Sequence, residues 1–540
     1  MRTSSTVIFF VAFSVSLQAC AKEPSPHRFD RVELTDYESY KSGNDWAPAL
    51  AQACKESRYV HIPAGRYLMA DVWIPSGTTV EGEGSSTIIV PKEDFLFRIE
   101  GRADTQVALT ENIPDFSSSI TVSDASMFAP GDLVLLQSQR NCMFKEDCGD
   151  WTLGQTTSGN KTCFYGELLD VESVSGNMLT TASPTLFPYY KSNNAEETVK
   201  PGFYTRRSST LAKLNAVRDA VLSSLTIESN SLCIHPVRVK YAGNCTVRNV
   251  TVISDEDYEE QSSTMFLVLN SKDCHIVGCH SKYSDKLVAK KKNNIFPTYS
   301  VYSLCNNFKI VSSDYCSIED CTDNFATHSF TVSYSDGGIP SAHCSIKNCR
   351  SENSIWAGVV SQQCTPWTEL SGNTVINSSQ GVMAGSRWSS VKNNKVSTNL
   401  PFSTDFYYAH ISRGGTTGVA VFEGYGRECE ISGNEVSGFY SGIKVLDGYE
   451  QLNIFDGPSD IAITGNVVMD CVYGLMISRN KYNLYKGSLG IFVQGNSFSS
   501  AGSVVDAQGE RQTCGIVLSG ASGVTLVGNT LSGFYIDTDK

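Results

Sequence analysis

Long apolar runs, surplus positive charge and metal-ligand spacing are all missing from this 540-residue chain, and each gap removes a class of function. Beyond the apolar stretch Val7 to Leu17, no segment offers the roughly 18 apolar residues that a membrane helix requires, so the body of the chain is expected to be soluble or tethered only by its end. Charged residues make up only 18%, with 43 Lys and Arg against 56 Asp and Glu, a net charge of −13. Neutralising phosphates needs the opposite balance on one surface, so no nucleic-acid partner is expected. The exception is Lys286 with Lys290, Lys291 and Lys292, a solvated loop or a landing place for an anionic polymer. No Cys and His cluster has finger-like zinc spacing, and no metal or other cofactor is expected; calcium has no motif to support it.

What the chain does have is a six-residue phrase that returns ten times between Cys245 and Asn529. Its third residues are Val247, Ile276, Ile318, Ile346, Leu370, Val391, Ile431, Ile463, Val493 and Leu526, and its sixth is Asn or Cys in all copies but the first. Successive copies lie 21 to 42 residues apart, a period suited to one short supersecondary unit stacked many times. Asn373, Asn434 and Asn466 are each followed eight residues later by Gly381, Gly442 and Gly474, opening Gly-aliphatic-x-aliphatic runs, so each unit holds at least two strands. Gly, Ser, Thr and Asn crowd the gaps between short aliphatic alternations. The fold class is all-β, a right-handed parallel β-helix, with the third-position aliphatics stacked in one interior row. An Asn at each bend would satisfy turn amides and the Asn above it.

Eighteen cysteines in an exported chain suggest disulfides, yet Cys274, Cys279, Cys316, Cys321, Cys344 and Cys349 occupy columns where other coils place Val, Thr or Asn. Ladder packing explains them better, whereas Cys142, Cys148 and Cys163, in a polar loop, are better placed for a bridge.

The start, Met1-Arg2, the apolar run and Gln18-Ala19-Cys20-Ala21, has the layout of a secretory signal. Leu17-Gln18-Ala19-Cys20 resembles a bacterial lipobox that would lipidate Cys20; cleavage after Ala21 is the competing reading. The expected location is exported, as an outer-membrane lipoprotein, periplasmic or secreted. Residues 1–20 are read as signal, 21–43 as linker, 44–98 as an N-terminal cap and first coils, 99–190 as a small β insertion and 191–540 as the β-helix. Trp46, Leu50, Ala53 and Cys54 predict a short amphipathic helix over 44–55 that caps the solenoid's first end.

Tyr59-Val-His-Ile-Pro-Ala-Gly-Arg-Tyr-Leu68 and Trp73-Ile-Pro-Ser-Gly-Thr-Thr-Val-Glu-Gly-Glu-Gly84 resemble the opening coil of the pectate-lyase superfamily. Pro130-Gly-Asp-Leu-Val, Gly166-Glu and Ser175-Gly-Asn then resemble the small β insertion of phage tailspikes and related β-helix proteins. The resemblance implies an extended carbohydrate-binding surface, and a tailspike-like chain implies a homotrimer where a lone solenoid would be a monomer.

Function must come from what departs from the ladder. The column seven residues past each sixth position holds His328, Trp356, Gln380 and Tyr473, a stacking wall for sugar rings or ordinary aromatic packing. Asp323 to Phe330, after the tyrosine-rich Tyr299 to Tyr302, resembles the tailspike pattern of a His-bearing coil followed by Gly and Arg, here Gly381 and Arg387, with Thr327-His328 where Arg-His is usual. The segment Asp405 to Arg427 crowds acid, base and aromatic types together in a long gap. From these, His328, Asp405, His410, Arg413, Glu423 and Arg427 are the candidate catalytic residues; Tyr302, Trp356, Gln380, Arg387, Tyr425, Lys444 and Tyr473 are the candidate substrate contacts. They supply the groups for proton abstraction beside a uronate carboxylate, or for paired-carboxylate hydrolysis. Polygalacturonase-type and classical pectate-lyase signatures are missing. The expectation is an exported protein that binds and cleaves an acidic polysaccharide, lyase ahead of hydrolase, with a non-catalytic adhesin or tailspike-type receptor binder as the alternative.

Overall fold

A computed structural model describes residues 31–539 except 142–162, 192–195, 201–202, 207, 230–232, 234, 255–263, 284–305, 336, 355, 400–415, 422–425, 447–458, 479–489, 501, 503 and 507–508. The expected signal, with Cys20, and the cysteines Cys142 and Cys148 lie outside the described residues.

The third-position aliphatics form one parallel register: Val247 beside Ile276, then Ile318, Ile346, Leu370, Val391, Ile431, Ile463, Val493 and Leu526. All but the last are buried in a continuous core. Each repeating coil of this right-handed parallel β-helix has three strands. Two short ones, such as Ser317–Glu319 and Thr322–Asn324, meet at the phrase's bend and fall into one 24-stranded sheet, sheet I. The third, such as His328–Ser333, belongs to a 13-stranded sheet, sheet II, which runs from Val72–Trp73 to Ile536–Asp539.

The bend is held by a buried side-chain ladder. Asn373 donates from its backbone and its Nδ2 to Asn394 Oδ1, both at 2.9 Å, and the pattern repeats through Asn434, Asn466, Asn496 and Asn529. In earlier coils cysteine takes the same place: Cys279, Cys321 and Cys349 donate to main-chain carbonyls, as do Cys245, Cys274, Cys316 and Cys344 at the phrase's first position. These seven are buried free thiols, in keeping with ladder packing. Cys163 is also buried, its backbone bridged to Gly338 rather than exposed in a polar loop.

The helix Ala47–Glu56 closes the first end, burying Ala49, Leu50, Ala53 and Cys54 against the core, with Pro48 in its first turn where no donor is needed. A six-stranded sheet between Arg102 and Asn215 forms a separate layer with its own core. It sits on the solenoid through Leu168 N–H to Asp314 Oδ2 at 2.7 Å, Asp170 between Arg218 and Lys272 at 2.9 and 2.7 Å, and Ile339 packed on Leu133, Leu168 and Leu214. This sheet includes Ser209–Asn215, paired antiparallel to Leu133–Asn141. No helix among the described residues is long and apolar enough to cross a membrane.

Candidate functional site

The connection at the Asn/Cys bend has the same length in every coil, whereas the connections entering and leaving sheet II do not. Residues 284–305 and 400–415 precede sheet II strands, and 422–425, 447–458 and 479–489 follow them. Every long variable segment of the repeats therefore flanks sheet II, which makes its outer face the place where function can vary without disturbing the core.

Two columns run down that face. One is Trp73, Arg98, Arg238, Leu267, Lys309, Thr331, Val360, Met383, Ala420, Lys444, Met476 and Val517. The other is Asn306, His328, Ala357, Gln380, Thr417, Ser441 and Tyr473. The sequence spacing placed Trp356 in this second column; the register puts Ala357 there and Trp356 one residue earlier. The side chains nevertheless meet: the His328 and Trp356 rings are 5.2 Å apart, and Trp356 Nε1 donates to Gln380 Oε1 at 2.9 Å.

Thr331, Val360, Met383, Ala420 and Lys444 point away from the solenoid core and are nonetheless buried. Val360, Met383, Ala420 and Ala357 make an apolar patch with Trp356 at its edge. His328 and Lys444 lie at its two ends. Burial, with Lys309 nearby, pushes the His328 imidazole down to about 3, so it is neutral, and its buried Nδ1 has no hydrogen-bond partner among the described residues. Burial alone pushes Lys444 down to about 8; it is 6% exposed and pairs with no carboxylate among the described residues. Tyr473 packs edge-on against Tyr440 at 5.2 Å on the far side of this patch.

The remaining candidates separate. Arg387 and Arg427 lie beyond the ends of their sheet II strands, at the corner leading back to sheet I. Arg387 pairs with Glu428 at 2.6 Å and lies 4.4 Å from the Trp388 ring centre, and the Arg427 carbonyl accepts from Trp388 N–H. Tyr302, Asp405, His410, Arg413, Glu423 and Tyr425 lie outside the described residues.

That corner carries a feature the sequence reading passed over. The residue before each of the first eight phrases, Asn244, Asp273, Tyr315, His343, Trp367, Trp388, Glu428 and Asp460, has φ between 52° and 56°. Four rings stack along it: Tyr315 on His343 at 4.8 Å, His343 on Trp367 at 4.8 Å and Trp367 on Trp388 at 4.5 Å, near-parallel throughout. Coils repeat at about 4.8 Å, which is also a stacking distance, so the ladder offsets the cost of left-handed backbone at bulky residues. The inner ring faces cover one another, and Trp367 and Trp388 pack on the core of the six-stranded sheet. This stack joins the two layers, with Tyr315, 40% exposed, at its open end.

No family model and no curated protein matches the chain. Among solved structures it is similar to the tailspike protein gp49 from Pseudomonas phage LKA1, at 14% identity over 91% of this chain and 80% of that one, TM-score 0.56. It is also similar to the gp54 tailspike of Acinetobacter baumannii bacteriophage AP22, solved in complex with capsular saccharide, at 11% identity over 92% and 76%, TM-score 0.54. The chain thus shares with these tailspikes the parallel β-helix fold.

Proposed function

We propose that this protein binds an acidic polysaccharide along the outer face of sheet II and cleaves it by β-elimination, with Lys444 as the base. The observation that carries this is the buried Lys444, with no carboxylate partner among the described residues, at one end of an apolar patch whose other end is the neutral, buried His328. An amine held down to about 8 has a neutral fraction near physiological pH, which a base needs. Its lone pair would take the proton on the carbon beside the uronate carboxylate. That C–H pair becomes the new C=C, the bond to the glycosidic oxygen on the adjacent carbon breaks, and solvent protonates the departing oxygen.

Hydrolysis, the second reading, needs two carboxylates flanking the bond. Among the described residues, the two outer columns between Asn306 and Tyr473 carry His and Lys but neither Asp nor Glu. The saccharide bound by one tailspike of this fold suits a glycan ligand. Export, through the signal reading, remains part of the proposal.

The test is incubation with polygalacturonate, alginate, hyaluronan and chondroitin sulfate while following unsaturated-uronate absorbance and new reducing ends. Both signals should appear together, kcat/KM should rise as pH rises through about 8, and Lys444→Met should lose turnover while keeping its melting temperature. Reducing ends without absorbance would make the protein a hydrolase. Binding with neither signal would make it an adhesin.

A further inference from the structure

We infer that the N-terminal end of the same face is a distal sugar subsite, centred on Trp73, which grips by stacking rather than by charge. It rests on the polysaccharide reading above but uses different residues. Trp73 is 52% exposed and is the first member of the outward column that ends in Lys444, Met476 and Val517, so it lies in line with the patch between His328 and Lys444. The indole is backed rather than loose. The Arg98 guanidinium carbon lies 5.0 Å from its ring centre and 4.1 Å from Phe95, and Arg238 approaches Phe95 at 4.5 Å.

Both cations are already neutralised. Arg98 pairs with Asp71 at 2.7 Å, and Arg238 is held by Glu100 through two of its nitrogens. Two guanidinium groups facing two carboxylates leave no surplus to attract an anionic group. What the cluster offers is a rigid apolar ring with fixed polar edges, which suits the C–H face of a pyranose.

Between Trp73 and Thr331, on the His328 strand, the register takes five inter-strand steps, roughly 24 Å at the usual sheet spacing. Only a saccharide long enough to span that distance touches both ends. Trp73 should therefore read chain length.

The experiment compares the full chain with its Trp73→Ala, Trp73→Tyr and Lys444→Met variants by titration with the uronate polymers named above and with their size-fractionated oligosaccharides. Trp73→Ala is expected to weaken polymer binding roughly 3- to 10-fold, with the ratio to wild type unchanged by salt. It should leave binding of oligosaccharides too short for the span unchanged, and Trp73→Tyr should restore the polymer. Equal polymer affinity in Trp73→Ala and wild type, or equal losses on polymer and short fragments, overturns the subsite alone. Failure of the wild type to bind any of these polymers overturns the polysaccharide reading as well.

Discussion

Two stretches of the solenoid interior solve the same packing problem with opposite chemistry. From Gly358 to Gly515 the second position of each sheet II strand is glycine, with Gly381, Gly418, Gly442 and Gly474 between. A side chain there would run into the aliphatic residue facing it from sheet I, Val375, Val396, Val436 and Val468 in turn, then Phe498. Two coils earlier the same position holds Asn307 and then Ser329, and the facing column shrinks to Ser281, Asp323 and Ser351. Asn307 Nδ2 donates to Asp323 Oδ1 at 2.7 Å, and Ser329, Ser351 and Ser354 bond one another at 2.6 to 2.8 Å. Volume is conserved across the narrow core while polarity is not. The polar version lies directly beneath His328, one residue from Ser329.

The largest effect should come from breaking the apolar version. Gly381→Val would place a branched side chain against Val396 and the Gly418 carbonyl, and backbone cannot move aside cheaply, so we expect a loss of about 3 kcal/mol in a denaturant titration. A loss under about 1 kcal/mol would mean the two columns do not touch as tightly as described. In the polar stretch, Asp323→Val strips the acceptor from Asn307 and should cost about 2 kcal/mol. The sharper measurement adds Asn307→Gly and Ser329→Gly to that change. If the columns compensate, the triple variant recovers most of the lost stability; further destabilisation would sink the idea that small faces large.

How much of this was legible beforehand depended on whether a residue's role is carried by its type. Ile318, Ile346 and Ile463 announce an interior row because burial selects aliphatics at a fixed beat, and Asn394 or Asn434 announces a bend because few other side chains both accept and donate there. Gly381 and Gly442 were visible as markers, but their cause, a side chain from another strand, was not. The corner residues Asp273, Tyr315, His343, Trp388 and Glu428 share a backbone angle but no single residue type, so composition hides them. Offset counting found the His328, Gln380 and Tyr473 column but missed Trp356 by one residue, because that strand starts at Ala357. Lys444 was legible as a cation; that it is buried depends on what surrounds the strand. Arg387 lies three residues past Ala384, the last of its strand, which moved it off the sugar face.

The smallest expected effect distinguishes the two interiors by titration. Burial raises Asp323 above its ordinary value of 3.8, although Ser329, Asn307 and Ser281 pull the other way. A carboxyl whose folded pKa is raised binds its proton more tightly in the folded state. Its favourable contribution is complete below the unfolded pKa and is lost as pH rises through the folded one. The Gly/Val stretch has no ionisable side chain at the equivalent positions and contributes no such slope. Glu167, pushed up to about 8, and Asp314, pushed up to about 7, add slopes of the same sign at the junction with the six-stranded sheet, so wild-type melting alone is ambiguous. The difference between wild type and Asp323→Asn cancels them. That difference should favour Asp323→Asn increasingly as pH rises above the ordinary carboxyl value of 3.8. A flat difference curve would mean that the proton of Asp323 is bound no more tightly in the folded interior than in the unfolded chain.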